Sequence, residues 1–293
     1  MIYTTYQDLS DCIRRNAWKV PADIDLIVGV PRSGMIPALM LAELLNKQCA
    51  DLDAFLNGHI MSYGVRGNLS QNHVRYAAAM PQQKKVLVID DTVWAGNAIN
   101  QARERLSSLA GQYDFIFCCV YAESENAKQM VDLYFEDTYR PGEKILFKEW
   151  NVLHLPQRRT KVSMWDIDGL LCKDPPDDSD TAAYEQYLPN AIPLIIPTTK
   201  IGALVTYRLE RYRAVTEEWL HRHGIEYGQL VMFPSNDREE RNHTQSPSRF
   251  KARQYAAATW AQVFYESETR QAERIYLLSS KPVFCYENGQ MYI

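Results

Sequence analysis

Two short segments combine neighbouring carboxylates with glycine in a way that suits phosphate chemistry. In the first, Asp90 and Asp91 are adjacent, and Thr92, Ala95, Gly96 and Asn97 follow at once. Such carboxylates can accept hydrogen bonds from vicinal sugar hydroxyls, while main-chain N–H groups from Thr92 onward cradle a phosphate at a helix N-terminus. Gly96 lets the main chain approach an anion with no side chain in the way. In the second segment Asp166 and Asp168 stand one residue apart, with Gly169 after them. One of these carboxylates can attack phosphorus and hold a cation, and the other can protonate the leaving oxygen and then activate water. Taken alone, either pair is also compatible with an ordinary turn after a buried strand.

Both segments follow apolar runs, and the surrounding pattern says what places them. Expected strands at 25–30, 85–89 and 115–121 alternate with expected helices at 36–46 and 97–109. Alternation of this kind predicts a parallel sheet with helices on its faces, and ligands in such sheets bind beyond the carboxyl ends of strands. The residues after Val30 and Ile89 are therefore site candidates by position. Between them, 58–79 carries Gly64, Arg66, Gly67, His73 and Arg75 and reads as a long loop or hairpin. Residues 151–161 read as a linker, after which strands are expected at 162–165, 201–205, 229–233 and 282–285. Helices are expected at 209–222, 249–265 and 269–278, and 234–247 reads as an exposed loop. The result is an α/β chain with two parallel-sheet domains, 1–150 and 162–293.

Composition agrees with two domains, because 46% hydrophobic residues over 293 positions can fill two cores. A formal net charge of -4, from 32 basic and 36 acidic residues mixed along the chain, leaves no basic stripe for a nucleic-acid backbone. Six cysteines without a Cys-x-x-Cys pair read as buried thiols of a cytoplasmic protein. The N-terminus has no basic region followed by an apolar one, and Pro31, Arg32 and Pro37 interrupt the most apolar stretch. Neither a signal peptide nor a membrane span is expected.

The segment from Val86 to Ile99 resembles the ribose-phosphate signature of the type I phosphoribosyltransferases, which bind 5-phosphoribosyl-1-pyrophosphate with magnesium. The run Ile27-Val-Gly-Val-Pro31-Arg32-Ser33-Gly34 looks like that family's pyrophosphate loop, and 58–79 like its flexible loop. The resemblance implies that Asp90 and Asp91 hold the ribose hydroxyls. It assigns the 5'-phosphate to the residues from Thr92 to Asn97, and pyrophosphate to Arg32, Ser33 and Gly34. The family commonly has hydroxyl residues where this chain has Ala95 and Ala98. Each hydrogen bond to a charged group contributes roughly 1.5 to 3 kcal/mol, so that departure bears on turnover more than on fold.

The second segment resembles motif one of the haloacid dehalogenase superfamily phosphatases, and three further motifs follow in order. Thr206, in Ala203-Leu-Val-Thr-Tyr-Arg208, fits the phosphoryl-binding hydroxyl. Lys251 fits the charge-neutralising lysine. Ser267 aligns with the usual metal-binding aspartate, with Glu266 and Glu268 beside it. By resemblance Asp166 is the nucleophile, Asp168 the acid and base, and Asp166, Asp168, Glu266 and Ser267 the magnesium ligands. Arg208 is placed evenly between contacting phosphate and a structural role.

Together the halves resemble a bacterial fusion family associated with tellurite-resistance and stress genes, a likeness that extends to Lys148-Glu-Trp-Asn151. It implies a type I phosphoribosyltransferase fold followed by a small-cap or capless haloacid dehalogenase fold. It also implies a bifunctional enzyme in which a base receives phosphoribosyl and the nucleoside 5'-monophosphate is then dephosphorylated. Two other readings stay open: a nucleotide phosphatase with a binding-only partner domain, and a non-enzymatic sensor of phosphoribosyl pyrophosphate. The acceptor base and the oligomeric state are left open.

Overall fold

The computed structural model describes residues 2–61, 84–141, 146–176 and 181–293. The stretch 58–79 lies mostly outside them, including Gly64, Arg66, Gly67, His73 and Arg75. The chain divides into two compact units, Met1–Trp150 and Asn151–Ile293. Residues 151–161, expected as a linker, belong to the second unit. Val152 and Leu155 are buried there, and Tyr265 donates its hydroxyl hydrogen bond to the Val152 carbonyl at 2.9 Å.

In the first unit, strands β1 (Ile2–Thr4), β2 (Leu26–Gly29), β3 (Gln48–Asp51), β4 (Lys84–Val93), β5 (Tyr113–Ala122), β6 (Leu133–Asp137) and β7 (Leu146–Lys148) occur with helices α1 (Tyr6–Asn16), α2 (Met35–Leu45), α3 (Leu52–Leu56), α4 (Asn97–Leu106) and α5 (Ala127–Met130). Five strands form a parallel sheet in the order β3-β2-β4-β5-β6, and β1 pairs with β7 separately. The inner strands are buried on both faces, which explains their unbroken apolar runs such as Val86 to Ile89. Strand β4 runs four residues beyond the expected end at Ile89, so Asp90, Asp91 and Thr92 lie inside the strand. Pairing with β5 continues through Asp90↔Cys119 and Thr92↔Tyr121, which overrides the polar composition there.

The second unit contains α6 (Gln157–Thr160), β8 (Ser163–Trp165), α7 (Thr181–Asn190), β9 (Ile201–Leu209), α8 (Arg213–Arg222), β10 (Tyr227–Phe233), α9 (Arg238–Thr244), α10 (Pro247–Ala257), β11 (Val263–Glu266), α11 (Thr269–Ser279), β12 (Val283–Cys285) and β13 (Met291–Tyr292). Its sheet runs β10-β9-β8-β11-β12-β13, parallel except for the last strand. Two expectations are corrected. The helix expected at 249–265 ends at Ala257, where the Lys281 ammonium donates to the carbonyls of Tyr255 and Ala258 at 2.9 and 2.8 Å. The apolar run that follows becomes β11, paired on both sides. The loop expected at 234–247 contains α9, whose first turn is capped by the Asp237 carboxylate accepting from the Glu239 and Glu240 amides.

All six cysteines are free and buried, and no helix among the described residues is long and apolar enough to cross a membrane.

Gly34 tests the packing of the first unit. A Cβ there would lie 2.5 Å from the Val30 carbonyl oxygen, 2.8 Å from that of Ile89 and 3.0 Å from the Asp90 Cα. Gly34→Ala must push the turn off the end of β4, with an expected destabilisation of about 1–3 kcal/mol in urea denaturation. An unchanged midpoint would contradict that packing.

Candidate functional site

The close approach of Gly34 to Ile89 and Asp90 brings two separate stretches of sequence to one place in the first unit. The Val30 amide donates to the Ile89 carbonyl at 2.9 Å, and the turn at Pro31 to Gly34 leads straight into α2. Arg32 is exposed and Ser33 half-buried on that turn, while Asp90 and Asp91 are buried beside it. Burial, reinforced by the Asp91 charge, pushes the Asp90 carboxyl well above its ordinary range. Asp90 also accepts the Asp91 amide at 2.8 Å. Gly96, at φ 74°, turns the chain into α4 and leaves Ala95 and Asn97 exposed.

Two residues outside the sequence-derived set reach this strand end. The pairing of β1 with β7, locked where the Glu149 carboxylate accepts the Tyr6 amide at 2.8 Å, delivers Lys148 and Trp150. The Trp150 indole N–H donates to Asp91 Oδ2 at 2.7 Å. The buried Lys148 ammonium donates to the Thr92 hydroxyl and to Glu123 Oε1, the latter at 2.6 Å. Asp91 and Thr92, expected to face ribose and phosphate, thus already have partners within the unit. In the sequence the segment Lys148-Glu-Trp-Asn151 carries a family likeness but no site signal, because a strand pairing across the full unit is invisible to local periodicity.

In the second unit the central strand β8 ends at Trp165 and presents Asp166 between β9 and β11. The Asp166 amide donates to the Tyr265 carbonyl at 3.0 Å, extending the ladder by one residue. Strand β11 ends in Glu266, which is wholly buried. Helix α10 buries Phe250, Lys251, Ala252 and Tyr255. The Lys251 ammonium donates to Asp166 Oδ2 at 2.6 Å, Glu266 Oε2 at 2.8 Å and Gln271 Oε1 at 3.0 Å. Burial pushes Asp166 up and the adjacent ammonium opposes it. Burial alone would lower Lys251, but two carboxylates outweigh that and raise it.

Asp168 faces another way. Arg208, fully buried, donates from Nη2 to Asp168 Oδ1 at 2.6 Å and from Nε to Oδ2 at 3.0 Å, and Tyr187 donates its hydroxyl at 3.2 Å. Burial would raise the Asp168 carboxyl, but Arg208 holds it below its ordinary range. Arg208 is therefore the ionic partner of Asp168. Thr206 is buried in the neighbouring strand, its hydroxyl accepting the Arg208 amide at 3.3 Å.

The expected metal ligands divide accordingly. The Asp168 carboxylate turns to Arg208, but its main-chain carbonyl accepts the Ser267 hydroxyl at 3.1 Å. Glu266 Oε1 accepts the Ser267 amide at 3.0 Å. A Cβ on Gly169 would lie 2.6 Å from Ser267 Oγ and 2.9 Å from Asp174 Oδ1, so only a glycine leaves these oxygens facing the turn. Asp174, not anticipated from the sequence, is raised by burial and by the nearby charges of Asp168 and Glu266. Among the described residues no three acidic, histidine or cysteine side chains group as a metal cage. Asp166, the Asp168 carbonyl, Ser267 and Asp174 are nevertheless hard oxygen donors. Oxygen donors of this kind are the type magnesium takes, usually one or two carboxylates with several waters.

No protein-family model matches the chain, and no relative is found among curated proteins. Several solved structures align with it. The xanthine-guanine-hypoxanthine phosphoribosyltransferase of Helicobacter pylori is 16% identical, covering 52% of this chain and 92% of its own, with a TM-score of 0.34. The purine phosphoribosyltransferase of Pyrococcus horikoshii is 20% identical, covering 51% and 92%, with a TM-score of 0.35. A chain of the Pnkp1/Rnl/Hen1 complex is 15% identical and covers 91% and 97%, with a TM-score of 0.33.

Lys251→Met leaves Asp166 and Glu266 buried without their cation, with an expected cost of about 3–5 kcal/mol at pH 8. In the variant the Asp166 carboxyl, pushed up by burial and no longer opposed by the ammonium, holds a proton more tightly folded than unfolded. The folded state then binds more protons, and stability falls as pH rises above the unfolded carboxyl range. Urea denaturation should show a smaller deficit at pH 5 than at pH 8; an equal deficit would contradict the ion pairing.

Proposed function

We propose that this chain is a bifunctional, magnesium-dependent enzyme. Its first unit acts as a type I phosphoribosyltransferase on phosphoribosyl pyrophosphate and a nucleobase-like acceptor. Its second unit acts as a phosphatase of the haloacid dehalogenase type on the resulting nucleoside 5'-monophosphate. The observation that carries the reading is the buried Lys251 ammonium shared by Asp166 and Glu266 at the carboxyl end of a parallel sheet. A structural salt bridge has no need of a second carboxylate on the same ammonium, whereas a site that must accept a phosphoryl dianion needs a fixed cation beside its nucleophile.

In the first unit the ribosyl centre becomes cation-like as pyrophosphate departs, so positioning and charge do most of the chemistry. Asp90 and Asp91 accept the ribose hydroxyls, Thr92, Ala95, Gly96 and Asn97 surround the 5'-phosphate, and Arg32, Ser33 and Gly34 receive pyrophosphate. In the second unit Asp166 attacks phosphorus in line, Lys251 offsets the developing charge, and Thr206 orients the phosphoryl group. The bond from phosphorus to the leaving oxygen breaks as the aspartyl phosphate forms. Arg208 holds Asp168 as a carboxylate, so the leaving oxygen takes its proton from solvent, directly or relayed through Asp168, and the carboxylate then accepts a proton from the water that hydrolyses the intermediate. Magnesium, when bound by Asp166, the Asp168 carbonyl, Ser267 and Asp174, would neutralise phosphoryl charge.

A second reading has its own support. The internal partners of Asp91 and Thr92, with Ala95 and Ala98 nearby, suit a first unit that binds ribose phosphate without turnover, leaving a nucleotide phosphatase.

Phosphate and pyrophosphate release, measured with magnesium from phosphoribosyl pyrophosphate plus a panel of bases and from nucleoside 5'-monophosphates, separates the readings. Asp166→Asn should lower phosphate release by at least about 10³-fold, and Asp91→Asn should abolish base-dependent pyrophosphate release alone. Phosphate release without base-dependent pyrophosphate would favour the second reading. Release of neither product would refute both.

A further inference from the structure

A cavity of about 540 Å³ opens beside Asp168 and Arg208. Its volume falls within the roughly 300–1,000 Å³ range of pockets that enclose a drug-sized molecule. The Asp168 side chain keeps 20% of its surface exposed, against 5% for Asp166, so the reaction centre meets this cavity through Asp168. On the phosphatase reading, the group beyond Asp168 is the leaving alcohol.

The walls are of two kinds. Pro175, Pro176 and Tyr184 present flat apolar surface, while Arg241, Gln245 and Ser246 add polar groups on the side of α9. That polar wall is tied in place. The Tyr207 hydroxyl donates to the carbonyls of Arg241, at 3.0 Å, and Gln245. The buried Arg241 guanidinium lies 4.9 Å from the Tyr207 ring centroid and donates to its carbonyl at 3.4 Å. Asp237 caps the first turn of α9. A segment that composition alone gives as an exposed loop is thus a pinned wall. Its Gln245 side chain supplies an amide with both donor and acceptor.

Apolar surfaces lining the same cavity as an amide and a guanidinium suit a heteroaromatic ring with a hydrogen-bonding edge, which a bare sugar lacks. We propose that this cavity seats the nucleoside portion of the substrate. The base lies against the proline and tyrosine surfaces with its edge read by Gln245, which makes the α9 wall the specificity determinant. The inference rests on the phosphatase reading for the direction of the leaving group.

The test uses the full chain in an Asp91→Asn background, so that the first unit does not report. Phosphate release from adenosine and uridine 5'-monophosphates is compared with release from ribose 5-phosphate and a phosphotyrosine peptide. The nucleotides should exceed ribose 5-phosphate by at least tenfold in kcat/KM. Gln245→Ala and the cavity-filling Ser246→Trp should each cut that ratio at least fivefold through KM. A ratio near one, a preference for the phosphotyrosine peptide, or a ratio unmoved by both variants overturns the proposal. Calorimetric titration of the same nucleotides reads the cavity without turnover, so absence of phosphate release would refute the phosphatase reading separately. Weaker binding in both variants then supports the proposal, and unchanged or undetectable binding overturns it.

Discussion

The second unit is organised around one buried ammonium. Lys251 reaches the sheet from α10 and sits within 2.8 Å of carboxylates at the ends of two adjacent strands. Taking three charged groups out of water costs several kcal/mol each, and such a cluster persists only when geometry and further hydrogen bonds offset that cost. Here the Gln271 side-chain carbonyl accepts a further hydrogen bond from the ammonium, the Ile167 amide donates to Asp166 Oδ1, and the Ser267 amide donates to Glu266 Oε1. The surrounding core holds the strand ends still. Trp165 and Tyr265 stack with ring centroids 4.3 Å apart immediately before the two acids. A second cation, Arg208, takes Asp168 in a separate pairing, so the two carboxylates of the Asp-x-Asp motif have different electrostatic environments. On the proposed phosphatase reading, that division would let one act as nucleophile and the other as base.

The first unit uses the same strand-end logic with the charges distributed differently. Its buried lysine, Lys148, is matched by Glu123 and hydrogen-bonds the strand end through the Thr92 hydroxyl, its charge partly offsetting the upward push on Asp90. Asp90 and Asp91 have no comparable ammonium against them among the described contacts, and burial keeps Asp90 inclined to hold its proton. A ligand that brings sugar hydroxyls and a cation would relieve that crowding. The pinned Thr92 and Asp91 define where such a ligand must compete.

Much of this was legible from residue order. The parallel strands at β2, β4, β5, β8 and β9 follow from apolar runs alternating with periodic helices, and Asp166 and Asp168 from the strand-end rule, whereas Asp90 and Asp91 lie inside β4. Other features were not. Strand β11 merged with α10 in the sequence pattern, because 249–265 carries apolar residues at helical and at strand spacing, and only pairing with β8 and β12 separates them. Helix α9 has almost no apolar periodicity, and its signal was the Asp237 cap followed by Glu239 and Glu240. Lys148 and Trp150 reach Asp91 and Thr92 through the pairing of β1 with β7, a contact between the two ends of the unit. Arg208 was balanced between phosphate contact and structure; its full burial against Asp168 decides for the ion pair.

The central claim is that Asp166 carries the phosphoryl group, and covalent trapping tests it most directly. Wild-type protein mixed with magnesium and a radiolabelled nucleoside 5'-monophosphate, quenched in acid within a turnover and digested, should give one labelled peptide. The label should sit on Asp166, be released by hydroxylamine as an acyl phosphate, and be absent from Asp166→Asn. Turnover with no label on Asp166, or with the label on another residue, would contradict it.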